Sequence, residues 1–221
     1  MLHLGIETAT RTCAAALIKE GALLAESSLN IKNIHAARLF ELIESLFRSS
    51  GSDLKQLEAV SVSIGPGSFT GLRIGLASAK GIAMGLNIPV IPVSTLRALA
   101  CQAPLSTGRI YPFIRARKNE YYTAAVLRTN WADEMEEVKI LNPETAQEQL
   151  ETPCMLIGDI SEINITNPDI LRAPAFANIP SARYIAGIGT EKLHRGDSPA
   201  YETLIPSYGQ DFIAEKPKKR A

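Results

Sequence analysis

The sequence predicts an α/β fold in which one strand–helix pattern is used twice, and three observations carry that reading. Two successive stretches each show three strand-like runs, a helix, a further strand and a further helix. Between them, at Pro104 to Gly108, the composition turns to loop. Each half also holds a short, purely apolar run, Ala59–Ile64 and Cys154–Gly158, of the kind buried on both faces of a parallel sheet. The expected organisation is a first lobe over 1–104, a shorter second lobe over 105–210, and a basic tail over 211–221 that reads as disordered.

In the first lobe, Leu2–Thr8, Thr12–Lys19 and Ala22–Leu29 read as strands, with Glu20-Gly21 as a tight turn between the last two. A helix follows over 34–49 and stops at Gly51. On it Ala36, Leu39, Phe40, Leu42, Ile43, Leu46 and Phe47 fall within an arc of roughly 160°, wider than one sheet contact needs. The strand Ala59–Ile64 leads through a glycine-rich loop into a helix over 70–86. Pro89–Val93 is the next strand, and Ser94 caps a third helix reaching Cys101. In the second lobe, Arg109–Ala116 and Tyr121–Arg128 read as a hairpin turned by Arg117-Lys118-Asn119-Glu120. A strand near Glu137–Leu141 then precedes a helix opened by Asn142-Pro143, the strand Cys154–Gly158, and a last helix over 180–195 before Gly196.

Composition sets outer limits on function. The 221 residues carry 23 basic and 23 acidic side chains, a formal net charge of zero. Dedicated nucleic-acid binders draw most of their affinity from phosphate contacts and show a basic excess, so an RNA role here is shared with a partner or confined to a local patch. Cys13, Cys101 and Cys154 are odd in number and far apart, as expected of buried thiols in a reducing compartment. With no basic leader and no apolar run of membrane length, the expected location is the cytoplasm, away from membranes.

The most informative run is Ser63 to Gly75, a glycine loop joining a buried strand to a helix N-terminus. Gly65, Gly67 and Ser68 could cradle an anion there, with Thr8 and Thr10 at the end of the first strand. The loop lacks the lysine of a Walker A sequence and is not a G-x-G-x-x-G, so a tight strand-to-helix turn stands beside the anion reading. An acidic residue followed by hydroxyls, Glu7-Thr8-Ala9-Thr10, resembles the phosphate hairpin of actin-like proteins and sugar kinases, while threonines near turns also follow β-propensity. The helix after the loop carries Gly71, Gly75, Ala77, Ala79, Gly81, Ala83 and Gly85. Each helical glycine costs roughly 0.8–1 kcal/mol relative to alanine, so its backbone must approach a neighbour closely, either the chain's own sheet or a partner's helix. His35 has Leu39, not a second histidine, one turn on, and no histidine has a ligand at metal spacing. No nucleophile–base arrangement stands out, which argues against a protease. Arg115, Arg117, Lys118 and the basic tail are either solvated charge or phosphate contacts.

Together these residues resemble the TsaB family, also called YeaZ, which serves threonylcarbamoyladenosine synthesis on tRNA. The specific part is Ser63 to Gly75; around it lie Leu4–Thr10, His35 with Arg38-Leu39, Val93–Leu96, Ala116–Glu120 with Tyr122, and Pro206-Ser207-Tyr208. Glu7 and Arg115 stand where the family has Asp. The resemblance implies a duplicated actin-like ATPase (ribonuclease H-like) fold and an accessory, non-catalytic role beside a TsaD-like paralogue. TsaD-type chains carry a His-x-x-x-His on the helix that His35 begins; Leu39 replaces its second histidine. No catalytic residue, metal or cofactor is expected in this chain; ATP and metal belong to partner subunits, including a TsaE-like ATPase. The resemblance allows, without requiring, a homodimer when the chain is alone, and implies that tRNA is met indirectly. In the family the first two long helices make the dimer contact, which assigns His35, Arg38, Leu39, Leu42, Ile43, Leu46, Arg73, Ile74 and Ala77 to the partner interface. The rival reading is a small-molecule kinase or ATPase of the same superfamily, disfavoured by the missing lysine and by Glu7 and Arg115.

Overall fold

Alternation along the first strand sets up both faces of the first sheet. In β1 (Leu2–Glu7) all six residues are buried, with Leu2, Leu4 and Ile6 in the main core and His3 and Gly5 turned the other way. The structure, a computed structural model, describes residues 1–31, 34–104, 108–128 and 134–208. The expected tail over 211–221 and most of the loop near Pro104–Gly108 lie outside these residues.

β2 (Thr12–Lys19) pairs antiparallel with β1 on one side and with β3 (Ala22–Asn30) on the other. Glu20 and Gly21 both take positive φ, 52° and 80°, which matches a two-residue hairpin turn to the strand twist. α1 (His35–Ser50) ends on Gly51 in the left-handed region at φ 65°. β4 (Leu57–Gly65), α2 (Phe69–Leu86), β5 (Val90–Ser94) and α3 (Thr95–Cys101) complete the unit. The sheet order is β3-β2-β1-β4-β5, with β4 parallel to β1 and β5 parallel to β4.

The second half rebuilds this order from β6 (Arg109–Arg117), β7 (Glu120–Thr123), β8 (Val126–Leu127), β9 (Glu134–Met135), β10 (Lys139–Leu141), β11 (Cys154–Gly158) and β12 (Ile170–Arg172). Its main path is β10-β7-β6-β11-β12, the same third-second-first-fourth-fifth sequence, with β8 and β9 off the path. Two expectations fail here. The run Tyr121–Arg128 breaks at Ala124-Ala125, and β8 returns to pair with the start of β6 and with β9. No helix follows Asn142-Pro143: the Asn142 side chain accepts from Glu144 N–H, and only a 3-10 turn over Ala146–Gln149 forms. Ala146 and Leu150 are the only buried residues of that stretch's turn and exit, too little apolar surface to hold a longer helix.

α1 and α2 cover one face of the first sheet through Leu39, Ile43, Leu46 and Phe47 and through Leu76, Ala79 and Ala83. α4 (Ala182–His194) covers the other face, although it comes from the second half of the chain. α3 reciprocates by packing Leu96, Leu99 and Ala100 into the second sheet's core with Ile110, Ile114 and Ile157. Packing therefore crosses the 104/105 division in both directions. The last described stretch also returns: Tyr201 and Leu204 pack on the first core, and Lys80 Nζ donates to the carbonyls of Glu202 and Leu204.

Candidate functional site

The loops at the ends of β1, β4, β6 and β11 face one another across a cleft of about 1200 Å³. One wall holds Ala9 to Thr12, Gly67 to Gly71 and Tyr208; the other holds Phe113 to Lys118, Tyr122, Gly158, Asp159, Ser161 and Glu162.

The glycine loop is shaped by the chain's own backbone. A Cβ on Gly67 would overlap the Ala9 carbonyl, one on Gly71 the Thr8 carbonyl, and one on Gly75 the Thr8 hydroxyl. Gly65, at φ 120°, lies under the Ser207 carbonyl, and Ser207 N–H donates to Ile64 O at 2.7 Å. Ser68 caps α2 by accepting from Gly71 N–H, and its own N–H donates to Ala9 O at 2.6 Å. Thr8 is buried and its hydroxyl donates to Gly71 O at 2.9 Å. Thr8 and Ser68, expected to contact an anion, thus hold the strand–helix junction together. Thr10 reaches the cleft, but its hydroxyl accepts from Thr12 N–H. The tight-turn reading accounts for the loop.

Glu7 lies beneath this junction and does not line the cleft. Its carboxylate accepts from Ala9 N–H at 2.6 Å, and burial pushes its pKa up to about 7 against the pull of hydrogen bonds from Ala9, Ser63 and Thr10. Burial, and then the Glu7 charge, raises the Cys13 thiol to about 11. His35 is buried beside the cleft with Nε2 at 3.1 Å from Thr12 O, a structural contact.

On the opposite wall, Arg115 is held on every side. Its N–H donates to Asp159 at 2.9 Å, its guanidinium pairs with Glu162 at 2.5 Å and stacks 4.9 Å over the Tyr121 ring. Tyr121 donates its hydroxyl to Glu162 at 2.8 Å and is pushed up to about 12, by burial first and by that bond next. Asp159 and Glu162 were not singled out from sequence; they arrive through the parallel register of β6 and β11, which pairs Phe113 with Gly158.

The helix face splits the other expected residues. Leu39, Ile43 and Leu46 are buried against the chain's own sheet, as is His35, so these four are core residues and present no surface to a partner. Arg38, Arg73 and Ala77 are exposed, and Leu42 and Ile74 are half-buried. Arg38 pairs with Glu41. Arg73 stacks 3.7 Å over Phe69, which packs on Tyr208 at 5.1 Å, and its Nε donates to Tyr208. Phe40 and Met84 are the most exposed large apolar residues of α1 and α2, 57% and 73% accessible.

The relatives decide the family. A relative from Escherichia coli K12 described as tRNA threonylcarbamoyladenosine biosynthesis protein TsaB is 36% identical and covers 98% of this chain and 97% of its own. The chain belongs to the TsaB family. The family model described as "TsaD: tRNA N6-adenosine threonylcarbamoyltransferase" matches residues 23–150, so the segment bearing α1 and α2 shares descent with the transferase. YeaZ from Pseudomonas aeruginosa superposes with a TM-score of 0.78 at 26% identity, covering 94% of this chain and 99% of that one. An activator of 2-hydroxyisocaproyl-CoA dehydratase from Clostridium difficile, solved with bound ADPNP, shares the fold at TM-score 0.53 and 9% identity, over 89% of this chain and 97% of that one. The fold is the duplicated actin-like ATPase fold. The chain is a member of a family serving threonylcarbamoyladenosine biosynthesis on tRNA, and no helix among the described residues is long and apolar enough to cross a membrane.

Proposed function

We propose that this chain is the non-catalytic subunit of the complex that makes threonylcarbamoyladenosine, and that it supports a TsaD-type transferase by docking through the outer face of α1 and α2. The observation that carries the reading is a pair of unexplained glycines. Gly81 and Gly85 sit on the exposed side of α2, and a Cβ on either would meet nothing within 4 Å. Each costs the helix roughly 1 kcal/mol, and no contact inside the chain offsets it. With Arg73, Ala77 and Met84 they form a small-sided surface flanked by Phe40 and half-buried Leu42 and Ile74. The partner's kind follows from descent: a transferase sharing the 23–150 segment presents a homologous helix pair, so the two faces can meet about a near two-fold axis. A second copy of this chain is the lesser partner by the same geometry.

The cleft supports the accessory assignment. In this fold a magnesium–phosphate site needs open carboxylates and free hydroxyls at the ends of β1 and β6. Here Glu7 is shut beneath the junction, Thr8 and Ser68 are engaged, and Arg115 stands where a second carboxylate is wanted. ATP and metal are assigned to the TsaD-like and TsaE-like partners. The kinase reading expects tight magnesium-ATP binding by the isolated chain in calorimetry; the proposed reading expects none. Depletion of the chain followed by mass analysis of tRNA nucleosides tests the pathway role: loss of threonylcarbamoyladenosine is the expected result, and unchanged levels would refute it.

A further inference from the structure

The basic side chains of the cleft fall into two classes. The Arg115 guanidinium pairs with Glu162 and its backbone N–H donates to Asp159, and these are the two carboxylates that line the cleft among the described residues. Arg11, Arg117 and Lys118 line the same cleft, are exposed, and have no carboxylate partner among the described residues. Elsewhere on the surface Arg38, Arg48, Arg109, Arg183, Lys192 and Arg195 are paired, while exposed Lys19, Lys55 and Lys139 stand singly; what sets the cleft apart is that three such cations gather around one cavity. Arg117 and Lys118 form the tip of the β6–β7 hairpin, where Asn119 turns the chain at φ 59°, so both stand at the end of a two-stranded arm. At the root of that arm Tyr122 lines the cleft half-buried, and Tyr208 lines the facing wall beside Phe69.

Unpaired cations around a cleft, with aromatic rings on both walls, suit a strand of nucleotides: cations take the phosphates, and a ring face takes a base. We propose that this cleft binds single-stranded RNA directly, with Arg11, Arg117 and Lys118 on phosphates and Tyr122 stacking a base. Zero net charge is compatible with this, since the excess is local to the cleft. The proposal takes the class of nucleic acid from the family's place in tRNA modification and does not depend on the helix-face docking. A double-stranded ligand is disfavoured because stacking on Tyr122 needs an unpaired base.

The test is fluorescence anisotropy with a labelled tRNA anticodon stem-loop, on the full chain alone and with its TsaD-type partner, over a salt series. Wild type is expected to bind with a steep salt dependence. Arg117→Ala with Lys118→Ala is expected to weaken binding and to lower the salt slope by about two, one per phosphate contact removed. Tyr122→Ala is expected to weaken binding about tenfold with an unchanged slope, because stacking releases no counterions. Arg48→Ala, on the far end of α1, serves as the control and is expected to bind like wild type. The proposal is overturned by any of three results: no salt-dependent RNA binding in either setting, double-variant binding equal to wild type, or full displacement of the RNA by acidic peptide or by free ATP at matched phosphate concentration. Co-purification of the double variant with the TsaD-type partner separates this failure from failure of the docking proposal.

Discussion

The seam between the first sheet and α4 and the outer face of α2 place glycine in opposite surroundings. On the α4 face, a Cβ on Gly5 would lie 2.5 Å from Ala182 O and 2.7 Å from Ala186 N, and one on Gly189 would overlap the Ser61 hydroxyl. That contact is sealed by polar groups: His3 Nε2 meets Ser61 Oγ at 2.6 Å and His3 Nδ1 meets Thr190 Oγ1 at 3.0 Å. Glu26 on β3 secures the helix start, accepting from the Ser181 hydroxyl at 2.5 Å and from Arg183 Nε at 2.6 Å. On the outer face of α2, a Cβ on Gly81 or Gly85 would meet nothing within 4 Å, as would one on Gly187 away from the α4 seam. A glycine with a close backbone neighbour is explained by the fold. One inside a helix, at ordinary φ and facing open space, has no such explanation within the fold.

The largest expected effect breaks the closed face. Gly189→Ala drives a methyl into Ser61 and displaces the His3 bond, and is expected to cost about 3 kcal/mol or more, read by denaturant unfolding. Next comes a pair of opposing pH effects. Burial lowers His3 to about 4, with His194 adding to the shift, so its contribution is present above pH 6.5 and is lost as pH falls toward 4. Glu7 is raised to about 7, so its contribution is present below pH 4.5 and is lost as pH rises through 7. Between about pH 4.5 and 6.5 the two slopes oppose each other. Glu7→Gln is therefore expected to gain about 2 kcal/mol over wild type at pH 8 and nothing at pH 4, and to unmask a stability that rises with pH. Parallel stability curves for the two proteins would contradict the Glu7 assignment.

The smallest effect sharpens the open face. Gly81→Ala is expected to raise the stability of the isolated chain by about 0.5–1 kcal/mol, because helix propensity improves and nothing clashes. The same methyl is expected to weaken partner binding. A variant that destabilises the isolated chain would place an internal neighbour over Gly81.

Much of this fold was legible from residue order. Thr12–Lys19 and Cys154–Gly158 form strands at the expected bounds, because continuous apolar runs bounded by turns leave little choice. The second half was harder, since a short stretch such as Ala146–Gln149 carries helix-forming residues without enough apolar surface to keep a helix. Periodicity likewise showed an apolar arc on α1 but not its division, in which Leu39, Ile43 and Leu46 go to the sheet and Phe40 stays outside. The cleft was least legible. Glu162 reaches Arg115 only through parallel strand register, and Ser207 covers Gly65 only because the chain's end returns to the first sheet.

The outer face of α2 is proposed as the docking surface for a TsaD-type transferase. Titration calorimetry of that partner against wild type and Ala77→Arg tests it most directly, since Ala77 is exposed and the substitution leaves the core untouched. Wild type is expected to bind equimolar partner and the variant to lose at least about tenfold in affinity, with unchanged melting temperature. Equal affinity for both proteins would contradict it.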